Sequence, residues 1–249
     1  MKVVAIVQAR MGSTRLPGKV MMMLGDKSIL THVITRIRNA DLIDDIVIAT
    51  STLPQDDVIQ KEAKKCNIHC YRGSETDVLT RYYEAAKNHQ ANVIVRITAD
   101  CPFLDPFILN DMIIKFKQLL KENKPIDYLS NCLTRSYPRG LDIEIFTIKT
   151  LQQTYHQANQ DYQREHVTPY IYQNPHLFSL HNYANQLDLS EHRWTLDTKE
   201  DFDFISIVYN KLSIKNENFT TNDIISLLQK EPELKSINIH IKQKELIQK

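Results

Sequence analysis

Three cations and two glycines fall within one short stretch, Gln8-Ala-Arg-Met-Gly-Ser-Thr-Arg-Leu-Pro-Gly-Lys19. Arg10, Arg15 and Lys19 can set positive charge against phosphate oxygens, while Gly12 and Gly18 let the backbone approach a ligand closely. Loop N–H groups add further donors for an anion. The simplest ligand for such a loop is a triphosphate. A Walker A loop is excluded: it needs four residues between its glycines and a Ser or Thr after the lysine. Here five residues separate Gly12 from Gly18, and Val20 follows Lys19. The plain alternative is a solvated basic turn.

Two aspartates lie far from this loop in sequence. Asp100 sits in Thr98-Ala-Asp-Cys-Pro102, after the apolar run Val93-Ile-Val-Arg-Ile97, and Asp197 follows Arg193-Trp-Thr-Leu196. Each reads either as a turn or helix cap or as a ligand for Mg²⁺, which prefers a few carboxylates together with phosphate oxygens and water. Two such groups opposite a phosphate cradle would suit that ion.

The elements that must position these residues follow from hydrophobic pattern. Val3–Val7 is a β-branched run that reads as a buried strand. Ser28 can cap a helix whose Leu30, Val33, Ile34 and Ile37 share one face. Strands are expected at Asp45–Thr50, Ile68–Tyr71 and Val93–Ile97, with helices from Pro54 to Lys65, Thr76 to Asn88 and Pro106 to Leu120. Strands alternating with helices imply parallel βαβ units and an α/β, doubly wound, mostly parallel sheet. Ligands of such sheets sit beyond the carboxyl ends of the strands, where the first loop, Thr50, Arg72-Gly73 and Asp100 all fall.

Further on, a short strand is expected near Tyr128. Pro138–Phe146 alternates polar with apolar residues and reads as a half-buried strand carrying Asp142 and Glu144 on one face. Helices at Leu151–Asn159 and Gln163–Gln173, a strand near Phe178–Asn182, a strand ending at Asp197, and helices at Lys199–Lys211 and Asn222–Leu228 complete the series. No interdomain linker or repeat is visible. A single domain spanning 1–249 is expected, with a polar C-terminal segment, 214–249, at its periphery.

The stretch Gln8 to Lys19 resembles the N-terminal signature of the CMP-sugar synthetases, cytidylyltransferases that activate Kdo, sialic acid and related nonulosonic acids. It is most similar to the branch named after spore-coat polysaccharide biosynthesis, and the likeness runs to about Phe204. The resemblance implies a fold of the nucleotide-diphospho-sugar transferase (GT-A-like) type and Mg²⁺-dependent transfer of a cytidylyl group from CTP to a sugar acid. It implies that Arg10, Arg15 and Lys19 neutralise the triphosphate, with Gln8, Ala9, Gly12 and Ser13 around the nucleotide. The metal falls to Asp100 and Asp197. Arg72-Gly-Ser-Glu-Thr76-Asp77 resembles the segment facing the base, although Ser74 or Thr76 also reads as a helix cap with Asp77 in the first turn. Glu144 and His166 resemble positions that line the sugar pocket.

Two other readings differ in class. A glycosyltransferase on a related fold usually carries Asp-X-Asp after a strand, whereas Cys101 and Pro102 follow Asp100. A non-catalytic nucleotide-binding module would not need Arg10, Lys19, Asp100 and Asp197 together. Composition narrows the partners. A formal net charge of +1 gives no general attraction to nucleic acid or anionic membrane. No apolar run approaches the ~20 residues that span a bilayer. The short apolar N-terminus does not read as a signal peptide, so a cytoplasmic location is expected; a homodimer is compatible with all of this. Cys66, Cys70, Cys101 and Cys132 match no zinc spacing and are expected to be free, mostly buried thiols.

Overall fold

The computed structural model describes residues 1–122 and 124–243. In chain order the strands are β1 (Val3–Gln8), β2 (Met23–Leu24), β3 (Lys27–Ser28), β4 (Asp45–Ser51), β5 (His69–Gly73), β6 (Val93–Thr98), β7 (Tyr128–Ser130), β8 (Glu144–Thr147) and β9 (Leu180–Asn182). The α-helices are α1 (Ile29–Arg38), α2 (Asp57–Lys65), α3 (Val78–Asn88), α4 (Pro106–Lys121), α5 (Ile148–Gln157), α6 (Asp161–His166), α7 (Pro169–Tyr172), α8 (Lys199–Ser213) and α9 (Thr221–Lys230).

Among the described residues, seven strands form one sheet in the order β5-β4-β1-β6-β8-β7-β9, while β2 and β3 pair separately. β1 pairs parallel with both β4 and β6, and β8 is antiparallel to both β6 and β7. The chain winds outward from β1 to β4 and β5, then crosses back to β6 on the other side of β1. That reversal opens a crevice beyond the carboxyl ends of β1 and β6, where ligands of such sheets bind.

The strand residues alternate between two cores. Val3, Ala5 and Val7 of β1 and Val93, Val95 and Ile97 of β6 face α1, α2 and α4. Val4 and Ile6, with Ile94, face α3, α5 and α7. Both faces are covered, so the central strands read as continuous apolar runs. α1 starts where expected: Ser28 Oγ accepts from Thr31 N–H, and Leu30, Val33, Ile34 and Ile37 are fully buried.

Four expectations are corrected. Pro138–Phe146 is not one strand: β8 begins at Glu144, and Leu141, Ile143, Ile145 and Phe146 are all fully buried. The alternation therefore does not mark a half-buried face. The preceding segment instead docks against 193–195, with a single bridge between Arg139 and Arg193, so no strand ends at Asp197. The helix expected over 163–173 is broken at Val167 into α6 and α7.

The C-terminal segment is not peripheral in its described part. Phe219, Ile224, Leu228 and Leu234 are buried in a third core with Trp194, Leu196, Phe204 and Val208. Arg36 fastens it to α1, donating to Phe219 O at 3.0 Å with its guanidinium 4.4 Å from the Phe219 ring centre. The helix expected at Asn222–Leu228 is present as α9, and what the polar composition concealed is that its Ile224 and Leu228 are buried.

Gly140 makes the 139–193 contact possible. Its φ is +102°, and a Cβ there would lie 2.5 Å from Trp194 C and 2.6 Å from Thr195 N. Those atoms are backbone and cannot swing aside. Gly140→Ala is expected to cost more than about 1 kcal/mol through φ alone, and further through the clash. A thermal melt checks this, and an unchanged Tm would contradict the close approach.

Candidate active site

The first loop closes on itself: Ser13 N–H and Gly18 N–H both donate to Met11 O, at 2.9 and 3.0 Å. Met11 N–H in turn donates to Asp56 Oδ1 at 2.7 Å, tying the loop to the end of β4. Gly18 adopts φ 72°, left-handed, and leads into a three-residue 3₁₀ turn at Lys19–Met21, not an α-helix. The loop curls over the carboxyl ends of β1 and β6 and walls a cavity of about 510 Å³.

Of the nucleotide and phosphate residues expected from sequence, Gln8, Ala9, Arg10, Ser13, Arg15 and Lys19 line that cavity, as do Asp100, Asp197 and His166. Gly12 lies outside the lining, its Cβ position 3.0 Å from Glu75 Oε1. Arg72, Thr76 and Asp77 are also outside it. Arg72 is engaged by Ser51 O, Leu53 O and Asp57. Asp77 caps α3 by accepting from Thr80 N–H, the role expected of Ser74 or Thr76, and pairs with Arg164 at 2.8 Å.

At the floor of the cavity Lys19 Nζ donates to Asp100 Oδ2 at 2.6 Å and to Asp197 Oδ1 at 2.8 Å. Arg15 and Arg193 each reach Asp197 Oδ2 at 2.9 Å. The lysine side chain is only 12% exposed. Burial alone would lower its pKa, but the two carboxylates outweigh burial and hold it above the ordinary lysine value. Burial likewise pushes Asp100 up, and Lys19 overcomes it to leave the carboxyl below the usual range. The aspartates do not face each other bare; one ammonium bridges them.

Neither aspartate is a helix cap. Asp105 caps α4 and Thr198 caps α8. The turn carrying Asp197 is held by Asp201, which is fully buried, accepts from Asp197 N–H at 2.9 Å and grips Arg193 Nε at 2.9 Å. Leu196 N–H donates to Asp100 O at 2.9 Å, locking the two aspartate segments together. Asn238 Nδ2 donates to both Arg193 O and Asp201 Oδ1, and Gln243 Oε1 accepts from Arg193. Sequence reasoning missed Arg193, Asp201, Asn238 and Gln243. The capping-box spacing Thr198-x-x-Asp201 was a usable signal; Asn238 and Gln243 offered none.

Glu144 lines a second cavity of about 420 Å³ with Arg96, Tyr128, Arg135, Asp142, Thr168 and Tyr172. Thr98 and His166 line both cavities. Glu144 accepts from Arg96, from Tyr128 Oη and, at 2.7 Å, from Thr168 Oγ1. His166 ends α6, immediately before Val167, whose φ of 73° and ψ of −56° make a γ-turn closed by Thr168 N–H to His166 O at 2.9 Å. A buried β-branched residue in that conformation stores strain of about 1–3 kcal/mol. The turn sets His166 and Thr168 against the same cavity.

All four cysteines are free, but only Cys101 is buried and the rest are intermediate, so the thiols are less buried than expected. Asp45, His69 and His89 cluster at the opposite end of the sheet, with Asp45 already held by Lys2 at 2.9 Å and His89 at 3.0 Å. No helix among the described residues is long and apolar enough to cross a membrane.

A family model for cytidylyltransferases matches residues 4–245. A solved cytidylyltransferase from Leptospira borgpetersenii superposes with a TM-score of 0.89 at 36% identity, over 98% of this chain and 100% of that one. The spore coat polysaccharide biosynthesis protein SpsF of Bacillus subtilis is 33% identical over 235 residues, 92% of this chain and 94% of its own. A 3-deoxy-manno-octulosonate cytidylyltransferase of Trichlorobacter lovleyi is 34% identical over 119 residues, 47% of this chain and 45% of its own. A mostly parallel sheet covered on both faces, a basic loop over its switch point and a match over nearly the whole length agree: the chain is a nucleotidyltransferase and belongs to the cytidylyltransferase family.

Proposed function

We propose that the chain makes a CMP-sugar and pyrophosphate from CTP and a sugar acid, of the Kdo or nonulosonate kind, for surface polysaccharide synthesis in the cytoplasm. The observation that carries this is the adjacency of the two cavities, which share Thr98 and His166 at the end of β6 and α6. The larger cavity, with Arg10, Arg15 and Lys19 in its wall, suits the triphosphate. The smaller one is lined by Tyr128, Asp142, Thr168 and Tyr172, polar side chains that suit a polyhydroxylated ring, and by Arg135, which is paired with Asp142 at 2.6 and 3.0 Å and brings a positive charge that suits a carboxylate. A sugar hydroxyl oxygen attacks the α-phosphorus, its bond to phosphorus forming as the bond to the β-phosphate oxygen breaks. Pyrophosphate leaves with the electron pair, and the hydroxyl proton passes to solvent.

The donor set fits Mg²⁺. Asp100 and Asp197 already direct one oxygen each at a single cation, the Lys19 ammonium, and hard carboxylate oxygens are what that ion selects. Asp100 and Asp197 would hold it, with Lys19 released toward the phosphates. The chemistry such an ion supplies is charge neutralisation at the reacting phosphate. Arg15 and Lys19 bind the triphosphate, and Arg193 with Asp201 fixes the Asp197 carboxylate. Catalysis in this reading is positioning and electrostatics.

Pyrophosphate release from CTP across a panel of sugar acids, neutral sugars and amino sugars tests the reading. Release is expected with at least one sugar acid and only with a divalent cation present. Release with neutral sugars alone would overturn the acceptor assignment. No release with any acceptor, in a protein that binds CTP, would overturn the reaction.

A further inference from the structure

Asp45, His69 and His89 come from three elements that meet at the amino ends of the strands, and none of them lines either cavity. Asp45 opens β4 and His69 opens β5. In the register of that parallel pair His69 lies opposite Val47, two residues beyond Asp45, so all three side chains share one face. That face is the one α3 covers, since Val47 packs in one core with Val78, Tyr82 and Ala86. His89 is the residue that ends α3. The same turn finishes α2 and α3: Asn67 and Gln90 take φ of 52° and 53°, and Ile68 N–H and Ala91 N–H reach back to Ala63 O and Ala86 O at 2.9 Å. These turns start β5 at His69 and set His89 over the strand ends.

One ligand atom from each of the three residues lies within 4.8 Å of the other two. Asp45 is already oriented for a cation. Its Oδ1 accepts from Ile46 N–H at 2.9 Å, which leaves Oδ2 to face Lys2 Nζ at 2.9 Å and His89 Nδ1 at 3.0 Å. A hydrogen bond that fixes a carboxylate in this way is the usual support of a metal ligand. Lys2 and His89 alone would suffice to neutralise Asp45. His69 is unaccounted for by that role: its ring stands 4.8 Å from the His89 ring, centre to centre, and it makes no hydrogen bond among the described residues.

We infer that Asp45, His69 and His89 form a second metal site, for Zn²⁺, separate from the Mg²⁺ carboxylates. Two imidazoles with one carboxylate are donors that select a borderline transition ion over Mg²⁺. Three protein ligands with water in the fourth position is a common zinc arrangement. Ligand atoms around tetrahedral Zn²⁺ stand about 3.4 Å apart. The Asp45–His89 pair is already that close, and His69, exposed at the start of β5, closes the remainder by turning its ring. Lys2 occupies the position of the cation and is over a third exposed, so it withdraws to water when the ion enters. The negative end of the α3 dipole points at the same place. β5 is the edge strand of the sheet and pairs only with β4 among the described residues. The ion therefore staples that edge to the end of α3.

Calorimetric titration of the full chain with ZnCl₂, in excess Mg²⁺ and without nucleotide, tests this in the wild type, His69→Asn, His89→Asn and Lys2→Met. One Zn²⁺ is expected to bind the wild type and to raise its Tm. Each histidine variant is expected to weaken Zn²⁺ by at least about 10- to 100-fold, the loss seen when even a ligand's supporting contact is removed, and to lose the Tm gain. Lys2→Met is expected to bind Zn²⁺ tighter, by up to about 5-fold, because an exposed competing cation is gone. Co²⁺ in place of Zn²⁺ is expected to give visible absorption bands in the wild type and in neither histidine variant. No Zn²⁺ binding, or binding that both histidine variants retain, overturns the site. His69 is exposed, so His69→Asn decides the matter if His89→Asn does not fold: affinity unchanged in His69→Asn overturns the three-ligand assignment. None of these outcomes depends on which nucleotide or sugar the chain uses.

Discussion

Lys19→Met is expected to reduce pyrophosphate release by about 10²- to 10³-fold, the usual loss when one preorganised donor to a developing charge is removed. It is also expected to destabilise the protein free of ligand. With the ammonium gone, Asp100 loses its ion-pair partner, while Asp197 keeps Arg15 and Arg193. A buried charged hydrogen bond lost in this way costs about 1–3 kcal/mol, read as a lower Tm at pH 7 in chelator. The same change should make Mg²⁺ a better stabiliser, because the ion no longer competes with an internal cation for the two carboxylates. The Tm gain on adding Mg²⁺ should therefore be larger in the variant than in the wild type. Near-normal pyrophosphate release would remove Lys19 from the reaction, and an equal Mg²⁺ response would remove the metal from this pair of aspartates.

The predictive power of the chain's pattern was greatest where chemistry and periodicity coincided. β1, α1, β4 and β6 are long, apolar and bounded by a loop or a cap, so local pattern and tertiary burial agree there. The loop from Gln8 to Lys19 stood out because its glycines and cations fall together directly after the first strand, and the structure sets it in the wall of the larger of the two cavities described. The second half was harder for a physical reason. Leu141 and Ile143 are buried in the irregular segment before β8, and Ile145 and Phe146 are buried on opposite faces of that short strand, which makes the alternation uninformative. Trp194 and Leu196 are core residues of an irregular segment, which no period can reveal. The support of Asp197 from Asn238 and Gln243 is contact between residues more than forty positions apart, through side chains that look like any polar tail.

Asp197→Asn is expected to be the more destabilising of the two aspartate changes, and both should abolish metal-dependent turnover. Read from sequence, two metal-ligating carboxylates without their ion would repel, and removing one would leave stability unchanged or raised. The geometry reverses that expectation. Asp197 is the anion at which Lys19, Arg15 and Arg193 converge, so its neutralisation weakens the hold on all three and takes from Arg15 its ion-pair partner. Arg193 would still be held by Asp201 and Lys19 by Asp100, which bounds the cost at about 1–3 kcal/mol. Asp100→Asn keeps an amide oxygen for Lys19, which retains Asp197, and should cost less. Its signature is in the pH dependence instead. Because the Asp100 carboxyl is lowered below its ordinary value, its contribution is fully present above that value and lost as pH falls through the lowered one. The Tm gap between wild type and Asp100→Asn should thus be widest near neutrality and close in acid below the usual carboxylate range. Melts of both variants from pH 7 to pH 3 check this, and an Asp197→Asn protein as stable as wild type at pH 7 would show that the three cations do not depend on that carboxylate.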